Sequence, residues 1–239
     1  MKHTLFVLIL LLTNLNGYSQ RKSITVTYYK ALKAITDKTN NSPSQLKGLS
    51  YKLLIDENES EFFLEKSLTN DIQKSNSRFA KRGGGDGVYY TNKNESYDLH
   101  QRERNGIQFL IKKETNPYKW KITKEHKIIS GYKCYKATAI HKGYNPMRQK
   151  EFVQYITAWF APEISIPYGP VDYYGLPGLV LEAQNGGVYF IANKIELNSK
   201  NKISKPTKGK LISYKEFEEM LLKEFKDRFG DRKFTRSKN

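Results

Sequence analysis

The chain has 239 residues, 38% hydrophobic and 13% aromatic, which is enough apolar material for a folded core and argues against a disordered chain. Lysine and arginine outnumber aspartate and glutamate by 41 to 24, so anionic surroundings or partners are expected. A single cysteine, Cys134, excludes an internal disulfide; it is expected to be buried, with no disulfide-linked partner.

The first residues read as a targeting segment. Met1-Lys2-His3 is basic, residues 5–12 are apolar, and Gly17 and Ser19 are the small residues that precede a cut after Ser19. Residues 1–19 are therefore expected to be a secretory signal peptide, because a membrane span needs about 20 apolar residues. Residues 20–239 are expected to form one β-rich domain. Export implies the periplasm, the outer membrane or the outside of the cell. It also argues against nucleic acid as the acidic partner, as does the even spread of lysines; envelope lipid is the other anionic candidate.

Ile24, Val26 and Tyr28 alternate with Thr25 and Thr27, the period of a half-buried strand. Residues 33–48 are polar and read as a loop, after which 49–55 and 61–64 read as a hairpin around Asp56-Glu57-Asn58. Residues 68–87 look least structured. Their run Arg82-Gly83-Gly84-Gly85-Asp86-Gly87 lacks the lysine and helix of a phosphate loop and reads as a flexible connection. Short strands are expected at 88–91, 97–101, 107–112 and 118–122, and longer ones at 131–141 and 152–161.

Four of the eight prolines fall between Pro162 and Pro177, making that stretch stiff and short of backbone donors. Within it, Leu176-Pro177-Gly178-Leu179 has the composition of a type II turn. Asn185-Gly186 then predicts a two-residue hairpin loop with Ala183 opposite Val188, Leu181 opposite Phe190 and Leu179 opposite Ala192, all on a core face. The other face, with Glu182 and Val180, is expected to be a mixed surface. Residues 199–210 read as a basic linker. A helix follows over 213–229, with Ser213 and Glu216 as a capping box, Phe217, Met220, Leu221 and Phe225 as its apolar stripe, and Gly230 as its stop. The fold expected is mainly β: an antiparallel curved sheet or half-open β-barrel with the C-terminal helix packed on it.

Familiar catalytic arrangements are absent from the sequence. His100, His126 and His141 have no metal-ligand spacing, and no serine sits in a G-x-S-x-G elbow, so neither a metal nor a cofactor is expected. Asp172 and Glu182 could serve as an acid/base pair in a hydrolase of unfamiliar type, or simply be surface charges. Trp159, Tyr168, Tyr173 and Tyr174 lie near the proline-rich stretch and could line a ligand cleft or pack in the core.

Gly175-Leu176-Pro177-Gly178-Leu179-Val180 resembles the signature of the GLPGLI family, exported proteins found mainly in Bacteroidota, with Val180 where the signature has isoleucine. Trp120-Lys121-Ile122, residues 129–137, Ala158-Trp159-Phe160-Ala161-Pro162 and Ile166-Pro167-Tyr168-Gly169-Pro170 resemble the family's successive blocks. The resemblance implies no established activity and transfers no catalytic residues. Genes of the family often neighbour outer-membrane TonB-dependent transporters, which implies an envelope role. The function expected is non-enzymatic binding of an apolar ligand or an outer-membrane partner, or an accessory interaction module of such a transporter system.

Overall fold

A computed structural model describes residues 23–32, 44–65, 84–145, 150–200 and 202–230. The expected signal peptide, the loop over 33–43 and most of the glycine-rich stretch lie outside the described residues. Among the described residues the strands, in chain order, are β1 (Ile24–Leu32), β2 (Ser44–Ile55), β3 (Glu59–Leu64), β4 (Val88–Asn92), β5 (Tyr97–Arg104), β6 (Ile107–Glu114), β7 (Lys121–Ile129), β8 (Tyr132–Asn145), β9 (Lys150–Ala161), β10 (Leu179–Asn185), β11 (Val188–Leu197) and β12 (Lys210–Ser213); a helix α1 (Tyr214–Phe229) follows β12. All twelve strands form one sheet in the order β12-β6-β5-β4-β3-β2-β1-β11-β10-β9-β8-β7.

The sheet is curved and does not close into a barrel. Its connections explain the curvature. β6 and β7 lie ten places apart in the strand order, which in a flat sheet would separate them by about 48 Å. Residues 115–120 join them, and so short a link spans at most about 25 Å. The two ends must therefore curl toward each other.

Three details differ from the sequence reading. β2 begins at Ser44, inside the expected loop. β12 was not expected, and it pairs parallel to β6, Lys210 opposite Phe109 through Ser213 opposite Lys112, in an otherwise antiparallel sheet. Four residues in a basic stretch carry no readable alternation of their own. The β10–β11 hairpin turns at Gly186-Gly187, with Asn185 opposite Val188 and Ala183 opposite Phe190. The slip is two residues, so Ala183 and Phe190 keep the core face expected of them. Gly186 has φ 58°, the sign a primed hairpin turn requires at its first central position.

The helix matches its sequence signals. Ser213 Oγ accepts from the Glu216 N–H (3.2 Å), and the Glu216 carboxylate accepts from the Ser213 N–H (2.8 Å). Phe217 meets Phe109 edge-on at 5.4 Å, which seats α1 on β6.

Aromatic side chains fill the inner face of the curved sheet. Tyr51 stacks on Phe62 at 5.3 Å, Phe190 stands edge-on to both, and Tyr28 and Tyr89 pack around Phe62. Gly85 joins this cluster, since a Cβ there would lie 2.9 Å from Tyr51 and 3.0 Å from Phe190. The described end of the glycine-rich stretch is thus a packed part of the core, not a loose connection. Lys30 is also fully buried; its Nζ donates to the Gly84 carbonyl (2.6 Å), and burial pushes its pKa down to about 8.

Candidate functional site

Residues 162–178 leave β9, cross to the far side of the sheet and return as β10, forming a strap over the core. Ile164, Ile166, Tyr168, Val171, Tyr173 and Leu176 are all buried in the main hydrophobic cluster. The strap is anchored beside β9 and β10 by the Leu179 N–H donating to Ile164 O (2.9 Å) and the Val180 N–H to Tyr168 O (3.0 Å). A register shift between Val180 and Glu182 sets Val180 opposite Phe160 on the core face, under the strap at Gly169, so Val180 is fully buried. The mixed surface expected there is corrected on that ground.

The expected type II turn is also corrected. The Gly178 N–H donates to Leu176 O (2.8 Å), a three-residue γ-turn centred on Pro177, and the Leu179 N–H bonds outside the motif. Gly178 is required for a different reason. A Cβ at this position would meet the Ala161 carbonyl, 2.7 Å from its carbon, and lie 2.9 Å from Pro162 Cα. The motif is a place where two backbones touch. Gly175 has φ 84° and faces the Asn116 side chain, while Leu176 and Leu179 are both buried.

At its far end the strap is held by polar groups on β5, β6 and the β6–β7 connection. Asp172 forms an ion pair with Lys113, and Tyr174 Oη donates to Asp98. The Asn116 N–H donates to Tyr174 Oη (2.7 Å) and Trp120 Nε1 to the Tyr174 carbonyl (2.8 Å). Tyr118 stacks on Tyr173 at 5.6 Å. Asp98 and Lys113 lie directly opposite each other on β5 and β6, so they share a face. Burial pushes the Asp98 pKa up to about 6, against the Tyr174 hydrogen bond. Beside them His100 stacks on Tyr89 (3.9 Å) with Nε2 at 2.7 Å from Asp86 O; burial, and then the Lys113 charge, push its pKa down to about 4. Cys134 is buried, as expected, and burial pushes its pKa up to about 11.

The aromatic candidates separate. Tyr168, Tyr173 and Tyr174 are core residues of the strap. Trp159 lies on the opposite, outer face of β9, with Lys127 Nζ 4.4 Å from its ring centroid. Asp172 and Glu182 separate as well: Asp172 pairs with Lys113, whereas Glu182 pairs with Lys127 at 2.7 Å beside Trp159. Asp98 and Lys113 went unremarked in the sequence, and His100 was weighed there only as a metal ligand. Their signal is weak, because only the β5–β6 register brings them together.

The outer face of β8 and β9 has a second character. Lys136 pairs with Trp159, Thr138 with Thr157, Ile140 with Tyr155 and Lys142 with Val153. Direct partners share a face, so these residues form one surface. At its far end Tyr155 is 73% exposed, Ile140 58% and Val153 52%. Such a cluster of large apolar side chains on a solvent-facing strand pair is the kind of feature that marks an interaction surface.

An open curved sheet with an internal strap and an exposed outer face is the class of protein this geometry defines. The comparisons with known proteins agree at that level. Residues 145–182 match the family described as "Protein of unknown function (Porph_ging)", a segment covering all of β9, the strap and the start of β10, and this is consistent with the resemblance read from the sequence. No curated protein matches the chain. Among solved structures the chain is similar to PNGF-II in two crystal forms: TM-scores are 0.56 and 0.55, with 14% and 15% identity over 84% of this chain. The chain covers only 33% of the length of PNGF-II. At that identity the similarity shows a shared fold.

Proposed function

We propose that the protein is an exported, non-enzymatic docking module of the cell envelope that binds a protein partner through the outer face of β8 and β9. The observation carrying this reading is the exposed pair Ile140 and Tyr155, flanked by Val153 and ringed by Lys136 and Lys142. An exposed tyrosine among aliphatic residues with a charged rim has the make-up of a protein interface hot spot. A membrane surface fits less well, because these side chains stand in mid-strand on a sheet, whereas interfacial insertion uses an amphipathic helix or anchor. An enclosed apolar ligand fits less well too, since Tyr28, Tyr51, Phe62 and Phe190 occupy the inner face where a carrier would hold it. The transporter-associated partner implied by the family resemblance is the leading identity.

The test compares wild type with an Ile140→Ser/Tyr155→Ser double variant. Both should melt alike, and only wild type should retain a partner from detergent-solubilised envelopes and rebind that partner after purification. Flotation of wild type with vesicles of phosphatidylglycerol, lost in the variant, would replace the protein partner with lipid. Equal retention of the partner by both proteins would overturn the proposal.

A further inference from the structure

We infer that β7 is an acceptor edge for an extended segment in which acidic and apolar residues alternate. This deepens the docking reading and rests on it, because it names the partner's chemistry beside the same end of the sheet. Among the described residues β7 is the last strand in the order and pairs only with β8, so the hydrogen-bonding groups on its other side have no described strand to bond. An open edge of this kind can take an added strand, with the backbone supplying affinity and the side chains supplying specificity.

The side chains of β7 specify what would fit. Ile122 lies opposite Ala137, on the core side of β8, and Ile128, on the same side of β7, lies opposite the exposed Lys133. Ala137 is fully buried, yet Ile122 is 49% and Ile128 66% exposed. At Ile122 the core-side face therefore continues past the last strand, and among the described residues no strand lies beyond it. Lys121 lies opposite Thr138, on the outer face with Ile140. Lys121 and Lys124 are exposed and have no acidic partner among the described residues, whereas Lys127 is engaged by Glu182. An incoming strand would set apolar side chains against Ile122 and Ile128 on one face and a carboxylate near Lys121 on the other, while Lys124, in the register shift between Ile122 and His126, adds positive charge to the edge. Antiparallel pairing of two copies through β7 is disfavoured, because β7 and β8 together carry six lysines and one glutamate and would bring like charges together.

Edge lysines also serve simply to repel unwanted strands. The experiment separates the two roles with two synthetic nine-residue peptides, one alternating valine and glutamate, the other valine and lysine. The expected result is saturable binding of the glutamate peptide at least about tenfold tighter than the lysine peptide, weakened by salt, with slowed amide exchange confined to β7. Lys121→Glu/Lys124→Glu should reverse the preference without changing the melting temperature, and Ile128→Thr should weaken both peptides. The Ile140→Ser/Tyr155→Ser variant should bind the peptides normally, so loss of the outer-face reading would leave this result standing. Absence of saturable binding, equal binding of both peptides, protection on another strand, or dimerisation through β7 would each overturn the inference.

Discussion

Gly178 shows how a single position can be fixed by space as much as by turn type. Its missing side chain lets the strap pass against Ala161 and Pro162. Gly178→Val should therefore destabilise the fold by about 2–3 kcal/mol, read as a lowered urea midpoint. A midpoint equal to wild type would mean that the two backbones do not touch. His100 makes a second residue-level prediction. Burial holds its folded-state pKa at about 4, below the ordinary value of 6.5, so its neutral form is favoured in the fold. Its contribution is thus present above pH 6.5 and lost as pH falls toward 4. Asp98 has the opposite sign: raised from 3.8 to about 6, it costs stability above pH 6, a cost that fades as pH drops toward 4. His100→Gln should flatten the acid-side loss of stability, and Asp98→Asn should stabilise the protein at pH 7.5 more than at pH 4.5. Thermal melts across that range check both. An NMR titration should find the His100 ring still neutral at pH 5.5.

Among the elements, the strap depends on its far anchor. Tyr174→Phe removes the donor to Asp98 and leaves a buried carboxylate short of a partner, so it should cost about 1–3 kcal/mol and speed proteolysis within 162–178. Unchanged cleavage would argue that the apolar residues alone hold the strap. Ser213→Ala should cost about 1 kcal/mol by removing the cap of α1, measurable in the same denaturation series. The elements that could be read from sequence carry their own period: β1, the β2–β3 hairpin, β10–β11 and the capped helix. β12 could not be read, since four residues acquire strand character only by lying beside β6. The hairpin register went astray because Asn185-Gly186 and Gly186-Gly187 are both turn-competent, and the choice depends on pairing across the sheet. The strap was legible as a stiff corner, but not as a crossing, because its anchors Asp98 and Lys113 come from strands far away in the chain. The outer face was half legible: Trp159 stood out by type, whereas Ile140 and Tyr155 became a pair only in the β8–β9 register.

For the whole molecule, the curled sheet encloses aromatic side chains and the strap, and leaves β7 with the outer face of β8 and β9 as its exposed end. Stability and binding are therefore expected to reside in different residues. The most direct test measures melting temperature and affinity for the purified envelope partner in the same two proteins, wild type and Ile140→Ser/Tyr155→Ser. The account predicts equal melting temperatures and a loss of affinity of at least about a hundredfold in the variant, as for removal of a central hot spot. Undiminished affinity in a variant that melts like wild type would contradict it.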